Sequence, residues 1–282
     1  ADEIMYNEKM GTIGEVLHNY GILLLYSSYN TIENNNVTTK SLFKEYTFPT
    51  TDCKNSVVGI DVYYDSNYNL IQNNNINVDS LGPYAYGMGV LGAPWGSSIT
   101  AINATNNTFT KNNVTVKGGY FATGFIAGLH SVYTLVEDNQ FTVSAVHNST
   151  QKGDYVYGLT LEAARNTTVR SNTFNTSGAA VYNVEIFDSN NNELIGNDFT
   201  SIGSYLYGVA GYRACDNTII SNHFSLKNAK YGDVAKAVHS DAIPYGNAGV
   251  LLMYDSFRNN VTLNTINSTA PYTVNRTVQA IN

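Results

Sequence analysis

Charge is scarce in this chain. Lys, Arg, Asp and Glu together make up 13% of 282 residues, and only 15 of them are basic. A net charge of −7 and a pI near 5.1 leave no basic face for nucleic acid, so no nucleic-acid partner is expected. No run approaches the ~18 consecutive apolar residues that a spanning helix needs, so no membrane span is expected in this segment. No signal peptide is read at the amino terminus, where Ala1-Asp2-Glu3 looks like the start of a mature or excised segment. Cysteine is limited to Cys53 and Cys215, five repeats apart. At about 4.8 Å per stacked strand they are separated by roughly 24 Å, beyond disulfide reach, so free thiols are expected. The histidines (His18, His130, His147, His223, His239) show no metal-ligand spacing, and neither a metal nor a cofactor is expected.

Asparagine, threonine, tyrosine and glycine take the place of charge, a composition suited to strands and turns. Hydrophobic content of 43% is enough for a packed core.

The stretch from Tyr157 to Phe174, YGLTLEAARNTTVRSNTF, is one sentence written eight times. An apolar residue follows an asparagine by two positions at Asn35, Asn74, Asn107, Asn139, Asn172, Asn197, Asn222 and Asn264. Three positions before these stand Ile32, Ile71, Ala104, Val136, Val169, Leu194, Ile219 and Val261, with Ala104 the weak member. A glycine precedes most of the asparagines by fourteen or fifteen residues: Gly21, Gly59, Gly124, Gly158, Gly208 and Gly249. Gly87 lies further back, and Asn183 stands where the sixth copy would have its glycine. The asparagine spacings of 39, 33, 32, 33, 25, 25 and 42 describe a fixed unit carrying insertions.

Each unit holds three short alternating segments separated by turn residues. Their inward side chains can be buried only by stacking copy on copy. This predicts an all-β fold, a right-handed parallel β-helix of about eight or more coils. Residues 1–19 form a partial coil or amino-terminal cap, and 20–282 form the helix proper. The asparagine column is structural: a corner favours left-handed backbone, which Asn tolerates, and stacked amides bond along the column. The long insertions (Thr38–Val58, Val78–Tyr86, Thr110–Thr123, Thr142–Tyr157, Ser225–Ala248) are expected to leave from one edge.

Counting from the glycine assigns the first strand's side chains to two faces, because strand side chains alternate. The outward pairs are Leu23/Leu25, Asp61/Tyr63, Gly89/Leu91, Ile126/Gly128, Thr160/Glu162, Glu185/Phe187, Ala210/Tyr212 and Leu251/Met253. Asp61, Tyr63, Glu162, Phe187 and Tyr212 make this a candidate ligand-binding face, since aromatic planes flanked by acids suit sugar rings. Three outcomes are open for it: burial by the insertions, a ligand groove, or self-association. Glu162 and Glu185 fall on adjacent coils, about 7–8 Å apart on the diagonal. That fits the ~6.5–9.5 Å separation of an inverting glycosidase pair, with Arg213 placed to steady an anionic substrate.

Asp65, Asp188 and Asp255 are expected to start turns, and the Tyr-x-Tyr-Gly words at Tyr84/Tyr86, Tyr155/Tyr157 and Tyr205/Tyr207 to stack at a corner. Ten Asn-x-Ser/Thr sequons occur, at Asn36, Asn103, Asn106, Asn113, Asn148, Asn166, Asn175, Asn260, Asn267 and Asn275. Their use would place the protein outside the cell.

The words NNELIGNDF and NTIISNHF resemble the right-handed β-helix repeats of the pectate-lyase-like superfamily. Runs such as YSSYNTIENNNVT and NTTVRSNTF resemble the adhesin-like surface proteins of methanogenic archaea. The resemblance covers most of the chain. It implies a non-enzymatic secreted or cell-surface protein for adhesion or display, binding a glycan or other cell-surface partner, or assembling with like subunits. The Asn-Thr-Asp, Asp-Asp, Gly-His-Gly and Arg-Ile-Lys words of polygalacturonase-like enzymes are missing. The acids are also more spread than the calcium-binding cluster of pectate lyases. The alternative is a polysaccharide-cleaving enzyme, hydrolase or lyase, in which Glu162, Glu185 and Arg213 are catalytic.

Overall fold

The computed structural model describes residues 5–8, 16–41, 56–80, 84–92, 103–119, 121–145, 155–229, 247–269 and 276–281. Among these every regular element is a strand. Three strands per turn wind into a right-handed parallel β-helix, the hand that twisted strands impose on parallel crossovers.

The first face stacks Val16–Leu25, Ser56–Tyr63, Tyr84–Leu91, Phe121–Gly128 and Tyr155–Glu162. It continues through the second halves of Thr173–Phe187 and Asp198–Tyr212 to Ala248–Met253 and Arg276–Ile281. The second face is a separate sheet of eight three-residue strands, from Thr31–Glu33 to Asn260–Thr262. The third stacks Asn36–Ser41, Asn75–Ser80, Asn113–Gly118 and Gln140–Ala145, then the first halves of the two long strands, then His223–Asn228 and Thr265–Thr269. Strand Met5–Glu8 runs antiparallel to Val16–Leu25. A reversed strand therefore lies on the first coil within the region read as a partial coil or cap.

Stacking in register puts like over like. Phe141, Phe174, Phe199 and Phe224 form a spine inside the helix, with ring centroids 4.7, 4.8 and 4.9 Å apart. Each is fully buried. Removing one such ring would cost about 3–5 kcal/mol.

The glycine column lies within the first-face strands. At Gly158 the alternation breaks: Val156 and Leu159 are both in the core, while Tyr157 joins a second, outer cluster. A Cβ on Gly158 would point inward, 2.6 Å from the carbonyl oxygen of Asn183 and 3.1 Å from the ring of Phe174. The sixth coil carries a side chain in this column. Asn183 Oδ1 accepts bonds from Thr176 Oγ1 and Ser201 Oγ, both at 2.8 Å. Small hydroxyl residues stand there where the neighbouring coils have Val143 and Leu226.

The corners depart from the sequence expectation in two ways. The main asparagine ladder runs Asn35, Asn74, Asn112, Asn139, Asn172, Asn197, Asn222 and Asn264. Asn112, not Asn107, is its third rung. Asn107 belongs to a second ladder with Asn30 and Asn69, which resumes at Asn192, Asn217 and Asn259 after Thr134 and Thr167. Phe109, and not Ala104, is accordingly level with Ile71 and Val136. The other departure is in the backbone. Left-handed φ falls on the residue before each rung, such as Asn34 (58°), Asp138 (56°) and Ser171 (56°). The interior rungs themselves are buried and use their amides for bonding along the column.

The slip at Asn107 also moves an insertion. Most long connections do join the third face to the first, at 42–55, 146–154 and 230–246. Residues 110–123, read as an insertion, instead hold Asn113–Gly118 and the start of Phe121–Gly128. The extra length of that coil is at 93–102, between the first and second faces.

Candidate functional site

The outward face of the first strands has the register that alternation requires. One column runs Leu23, Asp61, Gly89, Ile126, Thr160, Glu185, Ala210, Leu251. The next runs Leu25, Tyr63, Leu91, Gly128, Glu162, Phe187, Tyr212, Met253. Glu185 is level with Thr160, and Glu162 with Phe187, so the two glutamates are diagonal neighbours on consecutive coils.

Much of this face is closed. Asp61, Thr160, Tyr212, Leu251 and Met253 are buried, while Tyr63, Glu162, Glu185 and Phe187 are half-buried. Aromatic columns extend the closed region. Tyr157, Tyr182 and Tyr207 stack at 5.2 and 4.9 Å, and Tyr84, Phe121 and Tyr155 at 4.9 and 5.2 Å. Tyr84, Tyr155, Tyr157 and Tyr207 of the Tyr-x-Tyr-Gly words thus stack on the outside of the sheet.

Burial sets the protonation of the acids. Loss of water, then the negative charges of Glu185 and Asp188, pushes the Glu162 carboxyl up to about 8. Burial alone raises Glu185 to about 7. Asp61 is raised to about 7 by burial, against a smaller opposing bond from the Val62 amide. Its Oδ1 has no hydrogen-bond partner and leans across Gly89 of the next coil, within 2.7 Å of where a Cβ would be. The phenols of Tyr157 and Tyr182 are pushed well above their usual range, first by burial and then by neighbouring groups including Glu185.

Arg213 is not free to meet a substrate on this face. It is the corner residue after the strand, in left-handed backbone at φ 47°. It grips Asp188 through two contacts, Nε to Oδ1 and Nη2 to Oδ2 (2.5 Å for the second), and lies 4.8 Å over the Phe187 ring. Asp188 is therefore an ion-pair partner, and Asp65 accepts a 2.8 Å bond from Asn67 Nδ2. Asp61 is three coils from Glu162 and does not join the glutamate pair.

Of the sequon asparagines, Asn36, Asn103, Asn106, Asn113, Asn175, Asn260 and Asn267 are exposed and Asn166 is half-buried. Asn148 and Asn275 lie outside the described residues, as does Cys53. Cys215 is a free, half-buried thiol. Among the described residues no three His, Cys, Asp or Glu side chains gather to hold a metal ion.

Sequence reasoning missed one feature of a different corner: the exposed tyrosines of the first two coils, Tyr26, Tyr29 and Tyr68. The signal was the word YSSY followed one coil later by YDSNY.

No family model matches the chain. No curated protein matches it either. Solved structures are similar to it in part. DFA-IIIase from Arthrobacter chlorophenolicus A6, as a point mutant, is 14% identical with a TM-score of 0.39 over 77% of this chain and 60% of that one. The same enzyme without its lid gives 14%, 0.37, 77% and 58%. The periplasmic alginate epimerase AlgG, as a double mutant, is 9% identical with a TM-score of 0.28 over 95% and 85%. The chain spans about 60% of the length of the DFA-IIIase it matches.

Proposed function

We propose that this protein acts on carbohydrate through the outward face of its first strands, with Glu162 and Glu185 as a proton-sharing carboxyl pair. The observation that carries this reading is their diagonal placement, together with the burial that lifts them to about 8 and about 7. Between those values the pair holds one proton. Glu162 is then the general acid that protonates a leaving oxygen, and Glu185 the base that activates water. Phe187, half-buried, supplies apolar surface beside them. The substrate is a polysaccharide, and the exposed sequons support an extracellular setting.

The test is release of reducing ends from a panel of neutral and acidic polysaccharides between pH 5 and 9. Activity should peak between about 7 and about 8 and fall at least ~100-fold in Glu162→Gln and in Glu185→Gln, with melting temperatures not lowered. Equal activity in wild type and both variants would sink the assignment.

A second reading is favoured by the closure of the face, where Asp61 and Tyr212 are sealed from water. In it the β-helix is a non-enzymatic surface protein for adhesion or display that binds glycans or like subunits. It predicts glycan retention or self-association with no release of reducing ends, unchanged by either glutamine substitution.

A further inference from the structure

Left-handed backbone suits glycine, asparagine and aspartate, and a bulky side chain there needs a reason. At the corner between first and second faces two columns of residues adopt it. One holds Tyr26, Tyr64, Leu129, Ala163, Asp188, Arg213 and Tyr254. The other holds Tyr29, Tyr68, Asn106, Tyr133, Asn166, Asn191, Asp216 and Arg258. The first two coils fill all four of their places with tyrosine.

The rings are not there for the core. Tyr26, Tyr29 and Tyr68 are 63%, 78% and 53% exposed, against the near-zero exposure of the phenylalanine spine. They are ordered all the same. Tyr29 stacks on Tyr68 at 5.1 Å with planes 4° apart, and Tyr26 on Tyr64 at 5.2 Å and 20°. The backbone beneath them is clamped coil to coil. Ser27 N–H donates to Ser66 Oγ, and Asn67 N–H to Ser28 Oγ, both at 2.9 Å. Asp65 lies exposed between Tyr64 and Tyr68.

From this arrangement we infer that Tyr26, Tyr29, Tyr64 and Tyr68, with Asp65 between them, form a binding platform for a neutral glycan chain. Rigid tyrosines offer flat apolar area and a hydroxyl at little cost in ordering, which suits the apolar face and hydroxyl rim of a pyranose. A carboxylate beside them accepts from sugar hydroxyls. The charge pattern selects against anionic sugars: residues 16–39 and 56–80 contain no Lys or Arg. It also disfavours a second copy, which carries the same net charge of −7. The platform is on a corner apart from the Glu162–Glu185 face and does not depend on it.

The test uses the asparagine that other coils carry in this column. The double variant Tyr29→Asn/Tyr68→Asn keeps the left-handed backbone comfortable, so the fold is preserved. Wild type and variant would be run by affinity electrophoresis through soluble β-1,4-glucan, β-1,4-xylan, chitin oligosaccharides and alginate. Glu162→Gln/Glu185→Gln serves as the control for the other face. The expected result is retardation of wild type and of the glutamine variant by at least one neutral glycan and not by alginate. The asparagine variant should bind at least ~10-fold more weakly with an unchanged or higher melting temperature. Three results would overturn the platform: no retardation by any neutral glycan, equal retardation of the asparagine variant, or concentration-dependent dimerisation lost in that variant without glycan binding. Retardation lost only in the glutamine variant would move binding to the acid face and overturn it as well.

Discussion

Asn139 reaches Asn172 on the next coil twice: its side-chain Nδ2 donates to Oδ1 of Asn172 at 3.0 Å, and its backbone N–H donates to the same oxygen at 2.9 Å. Its amide also satisfies the carbonyls of Phe109 and Glu137, at 2.9 and 3.0 Å. One side chain therefore closes the polar accounts of three coils in a place water does not reach. Asn139→Ala strands two donors of Asn112 and leaves buried carbonyls unpaired, at a cost of roughly 2–4 kcal/mol. The end rung Asn35 is exposed, so Asn35→Ala should cost about 1 kcal/mol or less. Urea unfolding of both variants measures the contrast, and equal losses would contradict a ladder whose strength comes from burial.

How much of this was legible in the sequence depends on what sets each feature. Alternation from the glycine placed Asp61, Glu162, Glu185 and Tyr212 in their outward columns, because period two and in-register stacking leave no freedom. The third coil was misjudged because Asn107-Thr108-Phe109 and Asn112-Asn113-Val114 both match Asn-x-apolar, one for each ladder. Local pattern cannot rank two such words; only the coil above and below can. The weak fit of Ala104 marked the slip. Closure of the acid face was one of three outcomes the sequence left open, since alternation fixes which side a residue faces and not what lies over it. The grip of Asp188 on Arg213 was hidden for a related reason: the left-handed corner turns Arg213 off the strand's alternation.

Two glycines separate space from conformation. A methyl on Gly158 would meet the backbone oxygen of Asn183 at 2.6 Å and the ring of Phe174 at 3.1 Å. Gly158→Ala should lose about 1–3 kcal/mol. Gly196 has φ +61° and nothing within 4 Å of a new Cβ, so Gly196→Ala should lose only about 1 kcal/mol, for the left-handed backbone. Gly196→Asn should recover most of that, since Asn tolerates the conformation, whereas Gly158→Asn should lose at least as much as alanine because the apolar Val143 stands where Asn183 has the hydroxyl of Thr176. Chemical denaturation of the four variants decides it, and a tolerated Gly158→Asn would refute the packing argument.

The buried acids make stability fall as pH rises. Asp61, Glu162 and Glu185 all have folded-state values raised above their ordinary ones, to about 7, about 8 and about 7. Below about pH 4 both folded and unfolded chains hold these protons, and no penalty exists. Between there and pH 8 the unfolded chain releases protons that the folded chain keeps, so it binds fewer and the slope of stability with pH is negative. Asp61 is the cleanest case, being buried with an unpartnered oxygen. Asp61→Asn should stabilise the protein by about 1–2 kcal/mol at pH 5 and by up to about 4 kcal/mol at pH 8.5. Glu162→Gln and Glu185→Gln should act in the same direction by less, because both side chains are half open to water. Urea midpoints at the two pH values supply the measurement. A gain for Asp61→Asn that is the same at pH 5 and pH 8.5 would show that Asp61 does not keep its proton to about pH 7, and that its burial is relieved once it ionises.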